Sequence, residues 1–409
     1  MHFRGLAILA LVASAAAFAA CSATPGQGFN ANGDGSDDSD AGHKNGGGSI
    51  GGGSGGGGTL LPDGGYLLPD GGVISPPGTD GGFLGDGGAP ISRVACGGSY
   101  CRGDQTCNAG SCQYACIGTH VPGDYATIQA AISATISGGA DVTICLKAQT
   151  YNETVSISGS PSTPKKLTIQ GVSSSSSTVT GLSASGTAFS GLSIRGVGFT
   201  NSLQVSSVTA PVELVGDKFS GMSGSYAFYD YGSSDVTVDG CEISSSPSYY
   251  GVYFYASYSG PAQKLIVKNS YLHDSGYGAY LIMGSNSGSG TANIQLINNT
   301  FNNETTSIST SGSGVALALT YANNLIVNSK TYGIDQESAS ATITTKNNAL
   351  YGNANNYAGS AVDGANYVKA DVKLDTTQNP PGLSAGSPAR GVADVAMSPA
   401  TDFWGVARP

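Results

Sequence analysis

From residue 167 onward the apolar positions fall into one short pattern, apolar-x-apolar-x-bend-x-x-apolar, which returns eight times. The copies start at Leu167, Leu192, Val212, Val236, Leu265, Ile294, Ala318 and Ile343, with steps of 25, 20, 24, 29, 29, 24 and 25 residues. The first and third positions have strand parity and point to one side. The fifth position is a bend residue (Gly171, Gly196, Gly216, Gly240, Asn269, Asn298, Ala322, Asn347). All but one are glycine or asparagine, which accept left-handed backbone angles at least cost. The eighth position returns inward (Phe199, Phe219, Ile243, Leu272, Phe301, Leu325, Leu350), except in the first copy, which has Ser174 there. A second set of alternating strands, including Tyr226–Tyr231, Val252–Ala256 and Ala279–Met283, follows each eighth position. One such unit cannot bury its apolar side, but stacked copies bury a continuous one.

A period of about two dozen residues is too short for helical repeats and predicts an all-β solenoid of parallel strands. The copies LSIRGVGF, VELVGDKF, VTVDGCEI, LIVKNSYL and IQLINNTF resemble the right-handed parallel β-helix of the pectin-lyase-like superfamily over Tyr125 to Ala370. The segment Asp124–Ile132 reads as a short amphipathic helix with Asp124 as N-cap, followed by strands at 142–146 and 154–158. That order is similar to the entry of many such domains, where a small helix plugs the first coil. The expected fold is therefore nine to ten coils over residues 117–381 with an N-terminal capping helix. The Pro-rich tail 382–409 resembles the closing segment of bacterial β-helix surface proteins, with Trp404 packed there and Asp402 and Arg408 fixing it.

Residues 1–20 combine a basic start with an apolar run from Leu6 to Phe18, too short to span a bilayer, and read as a signal peptide. Phe18-Ala19-Ala20-Cys21 is similar to the lipobox of bacterial lipoproteins, although Phe18 replaces the usual Leu. The resemblance implies that Cys21 is acylated and that the protein is anchored in the cell envelope, at the outer membrane. Residues 21–92 read as a Gly/Asp/Pro-rich flexible tether, in which the acidic stretch Asn32–Asp40 is a solvated linker rather than a calcium loop.

Five cysteines crowd residues 93–116 (Cys96, Cys101, Cys107, Cys112, Cys116), without the paired spacing and histidines of a zinc site. They predict a disulfide knot whose odd member bridges to the body. Cys145, on the entry strand, is the available partner, and Cys116 the nearest along the chain. Cys241 is expected to be a buried free thiol.

The chemistry is sparse. The superfamily's hydrolases use Asn-Thr-Asp, Asp-Asp and Gly-His-Gly motifs, and none occurs in the repeats. Strand parity places Arg195, Glu213, Asp239 and Lys268 on successive coils of one outer side. They are weak catalytic candidates for a polysaccharide lyase or epimerase, and a charge-compensated surface is the simpler reading. His273-Asp274 is assigned a turn role. No cofactor is implied, and calcium enters only under the lyase alternative. The same outer side carries Ile266, Ile297, Leu319 and Tyr321, an apolar strip that something must cover, the tail first of all.

Tyrosine is the anomaly, with 21 copies against one Trp. Tyr229, Tyr231, Tyr253, Tyr255 and Tyr280 should stack along one outer side, an aromatic ladder with hydroxyl rims suited to sugars. The formal net charge of −10 is divided evenly, with four basic and nine acidic residues before residue 117 and 13 and 18 after it. That argues against nucleic acid as a partner. A membrane, through the lipid anchor, and polysaccharide are the expected partners. The sequence thus favours a non-catalytic carbohydrate-binding or adhesion module, with the lyase or epimerase and a structural spacer as alternatives.

Overall fold

The computed structural model describes residues 94–405 and 408, except residue 98 and the loops 159–164, 187–188, 258–261, 285–290, 313–315 and 338–340. It also describes a small antiparallel sheet of three two-residue strands, Thr59–Leu60, Tyr66–Leu67 and Val73–Ile74. These strands flank the two copies of Leu-Pro-Asp-Gly-Gly, so the expected tether contains local order. The signal peptide, Cys21 and Asn32–Asp40 lie outside the described residues. No helix among the described residues is long and apolar enough to cross a membrane.

The repeats form a parallel solenoid. Ten strands, from Thr119–Val121 and Val142–Leu146 to Ala341–Lys346, pair in sequence order into one sheet, which is nine coils beyond the entry strand. A second sheet holds two strand families that diverge from Thr178–Ser185. One is short (Gly198–Phe199 to Ala349–Tyr351) and the other long (Leu203–Ser206 to Asn355–Gly359). Each coil therefore offers three strand positions and three outer sides.

Inside, like stacks on like. Ile144, Ile169, Ile194, Leu214, Val238, Val267, Leu296 and Tyr321 form one continuous file, each no more than 2% exposed. A second file runs Val179, Phe199, Phe219, Ile243, Leu272, Phe301, Ile326 and Leu350, with the Phe199 and Phe219 rings stacked at 5.1 Å. Burying each such side chain is worth roughly 1.5–3 kcal/mol, before the entropy of ordering it.

Three expectations are corrected. The helix spans Ile128–Thr135 with Thr127, not Asp124, as N-cap, and the Glu153 carboxylate accepts from the Ile128 and Gln129 N–H groups at 2.9 and 3.2 Å. Asp124 instead accepts from the His120 N–H at 2.9 Å. The first copy reaches its inward position at Val179 rather than Ser174, because the Ser173–Ser177 turn lengthens that coil. The seventh copy is shifted by one residue. Leu319 pairs with Ile294 and Tyr321 with Leu296, so both point inward, and the left-handed bend is Asn323 (φ 58°), not Ala322. The apolar strip of Ile266, Ile297, Leu319 and Tyr321 therefore does not exist as an outer feature.

The tail does cover an apolar outer surface, but a different one. Val372 and Ala389, with Leu374 and Leu383, pack on Leu325, Val327 and Ala349 of the short-strand side. Leu374–Asp375 pairs antiparallel with Gly382–Leu383, across the expected boundary at 381.

The knot closes through Cys96–Cys107 and Cys101–Cys112, and Cys116–Cys145 joins it to the entry strand as expected. Cys241 is a buried free thiol. Arg102, inside the knot, is 7% exposed and donates to the Phe403 carbonyl at 2.6 Å, while Gly103 N–H donates to the Trp404 carbonyl at 2.6 Å. Arg408 donates to Asn269 Oδ1 at 3.0 Å, which fits its expected tail-fixing role.

Candidate functional site

Parallel register places the tyrosines of the long strands in columns. Tyr229 pairs with Tyr253 and Tyr253 with Tyr280, while Tyr231 pairs with Tyr255. A further column, Tyr226, Tyr250 and Tyr277, lies beside them. The result is a panel of eight rings on three coils. Neighbouring centroids lie 4.8–5.6 Å apart along and across most of it, as in Tyr226–Tyr229 (4.8 Å), Tyr250–Tyr280 (5.0 Å) and Tyr253–Tyr280 (5.6 Å).

The first column escaped strict alternation. At Ala227, Gly251 and Gly278 the strand turns a corner, and two consecutive residues are buried. A Cβ at Gly278 would meet the Phe301 ring at 2.7 Å, so the corner needs a small residue. The signal was present as Tyr-x-x-Tyr in YAFY, YGVY and YGAY.

The rings lean towards the next coil. Thr306 and Ser309 occupy the outward positions after Tyr277 and Tyr280, yet they are only 4% and 3% exposed. Tyr280 Oη lies 3.3 Å from Ser311 Oγ. Overlapping in this way, the panel presents parts of ring faces as well as a grid of hydroxyls. Burial and mutual proximity hold the Tyr229, Tyr250 and Tyr277 hydroxyls above the usual phenol range and push Tyr253 up to about 12. They remain neutral donors and acceptors, and edge and face contacts of this kind match the alternating C–H and O–H surface of a sugar ring.

The four charged candidates converge less than parity suggests. Arg195, Val215, Asp239 and Lys268 share one file, while Glu213 lies in the neighbouring file between Ser193 and Thr237. All four line a cleft of about 250 Å³ bounded by Arg102 and Asp104 of the knot and Thr401 and Gly405 of the tail. Every charge there has a partner. Lys268 pairs with Asp239 at 3.4 Å, Arg195 with Asp104 at 3.6 Å and Glu213 with Lys166 at 3.8 Å. Asp239 also accepts from Asn269 Nδ2 at 2.9 Å. Proton abstraction requires an accessible base, and here each carboxylate stands beside a cation, Glu213 being the most exposed.

A third cluster lies on the short-strand side. Asp274 is a left-handed bend residue (φ 57°), which supports its turn role. His273 stacks on Tyr271 at 4.3 Å and stands between Asp274 (2.7 Å) and Glu242 (3.5 Å). Burial alone would raise Glu242, but His273, Lys218 and Asn379 of the tail bring it down to about 2. Burial opposes charge on His273, yet the two carboxylates raise its pKa. Glu242, Lys218 and Tyr271 escaped notice because only register brings them beside His273.

Residues 201–371 match the family model described as right handed beta helix region, and the molecule is a right-handed parallel β-helix. Among solved structures, the chain is similar to the Azotobacter vinelandii mannuronan C-5 epimerase AlgE4 A-module, at 14% identity and a TM-score of 0.26, over 62% of this chain and 98% of that one. It is also similar to the AlgE6 A-module from the same organism, at 12% identity and a TM-score of 0.17, over 62% and 97% of the two chains. No curated protein matches.

Proposed function

We propose that this is a lipid-anchored cell-envelope protein that binds carbohydrate, without catalysis, through its tyrosine panel. The observation that carries the reading is the eight-ring panel itself, partly exposed on three consecutive coils. Aromatic surface of this extent is what sugar rings stack on, and a solvated strand surface does not require it. The pairing of Arg195, Glu213, Asp239 and Lys268 argues against the lyase or epimerase alternative. Acylated Cys21 and the stretch 21–92 would hold the solenoid away from an outer membrane.

Retention of the full chain on immobilised polysaccharides tests the reading. Tyr253→Ala with Tyr280→Ala is expected to weaken retention about tenfold or more, with no turnover in the wild-type protein. Turnover abolished by Asp239→Ala or Lys268→Ala would make the cleft an active site and overturn the reading. Cys21→Ser is expected to move the protein out of the membrane fraction, and its persistence there would exclude the acyl anchor.

A further inference from the structure

The panel side differs from the rest of the surface in charge. The seven long strands from Leu203–Ser206 to Asn355–Gly359 contain no lysine, arginine or histidine. The loops that follow them, at 258–261, 285–290, 313–315 and 338–340, contain none in sequence either. The first sheet, by contrast, carries Lys166, Arg195, Lys264, Lys268 and Lys346. Lys330, at the corner before Tyr332, is the nearest base along the chain, and its field acts on Asp274 and Glu304.

Acid, on the other hand, is present. Asp335 lies two rungs beyond Tyr280 in the same column, with Ser309 between them, and Glu337 follows at the strand's exposed end. Adjacent rungs are about 4.8 Å apart, so Asp335 is about 10 Å from the Tyr280 backbone, roughly the length of two sugar units. Burial and the neighbouring Glu337 raise the Asp335 pKa, and both carboxylates also act on Tyr277. Among the described residues neither has a basic partner. An anionic polymer on this side would meet like charge with nothing to offset it. A cationic one would meet two unpaired carboxylates and the negative faces of tyrosine rings.

We propose that the panel takes a polymer of amino sugars with free, positively charged amines, its rings seated on Tyr229, Tyr253 and Tyr280 and its ammonium groups drawn to Asp335 and Glu337. This rests on the carbohydrate-binding reading of the same panel and names the class of glycan.

Calorimetry of the full chain with three matched oligomers tests it: β-linked glucosamine at mildly acidic pH, the same oligomer N-acetylated, and a uronic acid oligomer. Glucosamine is expected to bind about fivefold tighter than its acetylated form, with no binding of the uronate. Added salt should narrow the preference. Asp335→Asn with Glu337→Gln should bring the two amino-sugar oligomers to equal affinity while keeping both bound. Equal affinity in the wild type, binding of the uronate, or a preference unchanged in the double variant would overturn the charge selection and leave the panel as a binding surface. Failure of all three oligomers, with retention on immobilised polysaccharide also absent, would remove the carbohydrate reading itself.

Discussion

The first four bends of the solenoid and the last four are built from different residues and are covered in different ways. Gly171, Gly196, Gly216 and Gly240 lie under the cysteine knot or one coil before it. A Cβ would fall 2.3 Å from the Tyr114 ring at Gly196, 2.5 Å from Tyr114 Oη at Gly216, and 2.0 Å from Arg102 Nη1 at Gly240. Asn269, Asn298, Asn323 and Asn347 adopt the left-handed angles of Gly196, Gly216 and Gly240, but their side chains are used. Asn323 accepts from Asp394 N–H at 2.8 Å and donates to Ser398 Oγ at 3.1 Å, Asn347 donates to the Val392 carbonyl, and Asn269 accepts from Arg408. Where the chain must lie flat against the bend the residue has no side chain, and where it only passes by, the side chain holds it. Both solutions satisfy the same backbone angle, so what covers the bend decides between them.

The next position inward divides the same way. In the later coils Asn299, Asn324 and Asn348 form a buried ladder in which each Oδ1 accepts the N–H of the coil before, and each Nδ2 donates to a carbonyl there. In the earlier coils the position holds Asp217, whose Oδ1 accepts from Val197 N–H at 2.8 Å, and Cys241, whose thiol makes long contacts with the Leu214 and Asp239 carbonyls at 3.6 and 3.7 Å.

The largest effect should come from breaking the later ladder. Asn324→Ala would leave the Asn299 N–H and the Leu296 carbonyl buried without that partner, a loss of about 3–5 kcal/mol in denaturant unfolding. Cys241→Ala, one ladder position of the earlier type, should cost less than about 2 kcal/mol. Equal losses would mean that the two halves do not differ in this way.

Next in size is the bend exchange. Gly216→Asn is expected to displace the knot and cost about 2–3 kcal/mol, with faster proteolysis near Tyr114. Asn323→Gly keeps the angle and loses the tail contacts and the bond to Asn298 Oδ1, about 1 kcal/mol net of solvent compensation. Full stability in Gly216→Asn would show that the knot does not need the bare bend.

The smallest concerns the one carboxyl in the ladder. Burial raises the Asp217 pKa well above its unfolded value, more than the Val197 N–H and the two nearby arginines lower it. Its contribution is therefore complete below about pH 4 and is lost as pH rises through the folded pKa. Asp217→Asn keeps the accepting oxygen and adds the donor that Asn299 uses. It should gain about 1 kcal/mol at neutral pH and flatten the pH dependence of stability. An asparagine variant weaker than the wild type at neutral pH would show that the charged form is accommodated.

Much of this organisation was legible in the chain, and its gaps have physical causes. Strand parity fixed the inward files and the outward turn of Cys145, which is why its bridge to Cys116 could be foreseen. Parity alone cannot distinguish Ala318/Thr320 from Leu319/Tyr321, since both pairs satisfy it. The repeated Asn-Asn dipeptides at 298–299, 323–324 and 347–348 would have settled the register, because the bend and the ladder each need one. Tyr226, Tyr250 and Tyr277 were lost at a corner where alternation fails. Arg102 was beyond reach, because it binds the carbonyls of Gly240 and Phe403, 138 and 301 residues away. No side-chain pattern records a partner that is main chain.

That arginine also changes how the molecule would respond to being pulled. Tension on the chain ahead of Cys96 enters the knot. It then divides, reaching the first coil through the covalent Cys116–Cys145 link and the final segment through the hydrogen bonds of Arg102 and Gly103 to Phe403 and Trp404. A stack of coils gripped only at its first rung would peel one rung at a time. Here the knot is also fastened beside the Gly240 coil, several rungs in, and the covalent branch remains when the hydrogen-bonded one gives way.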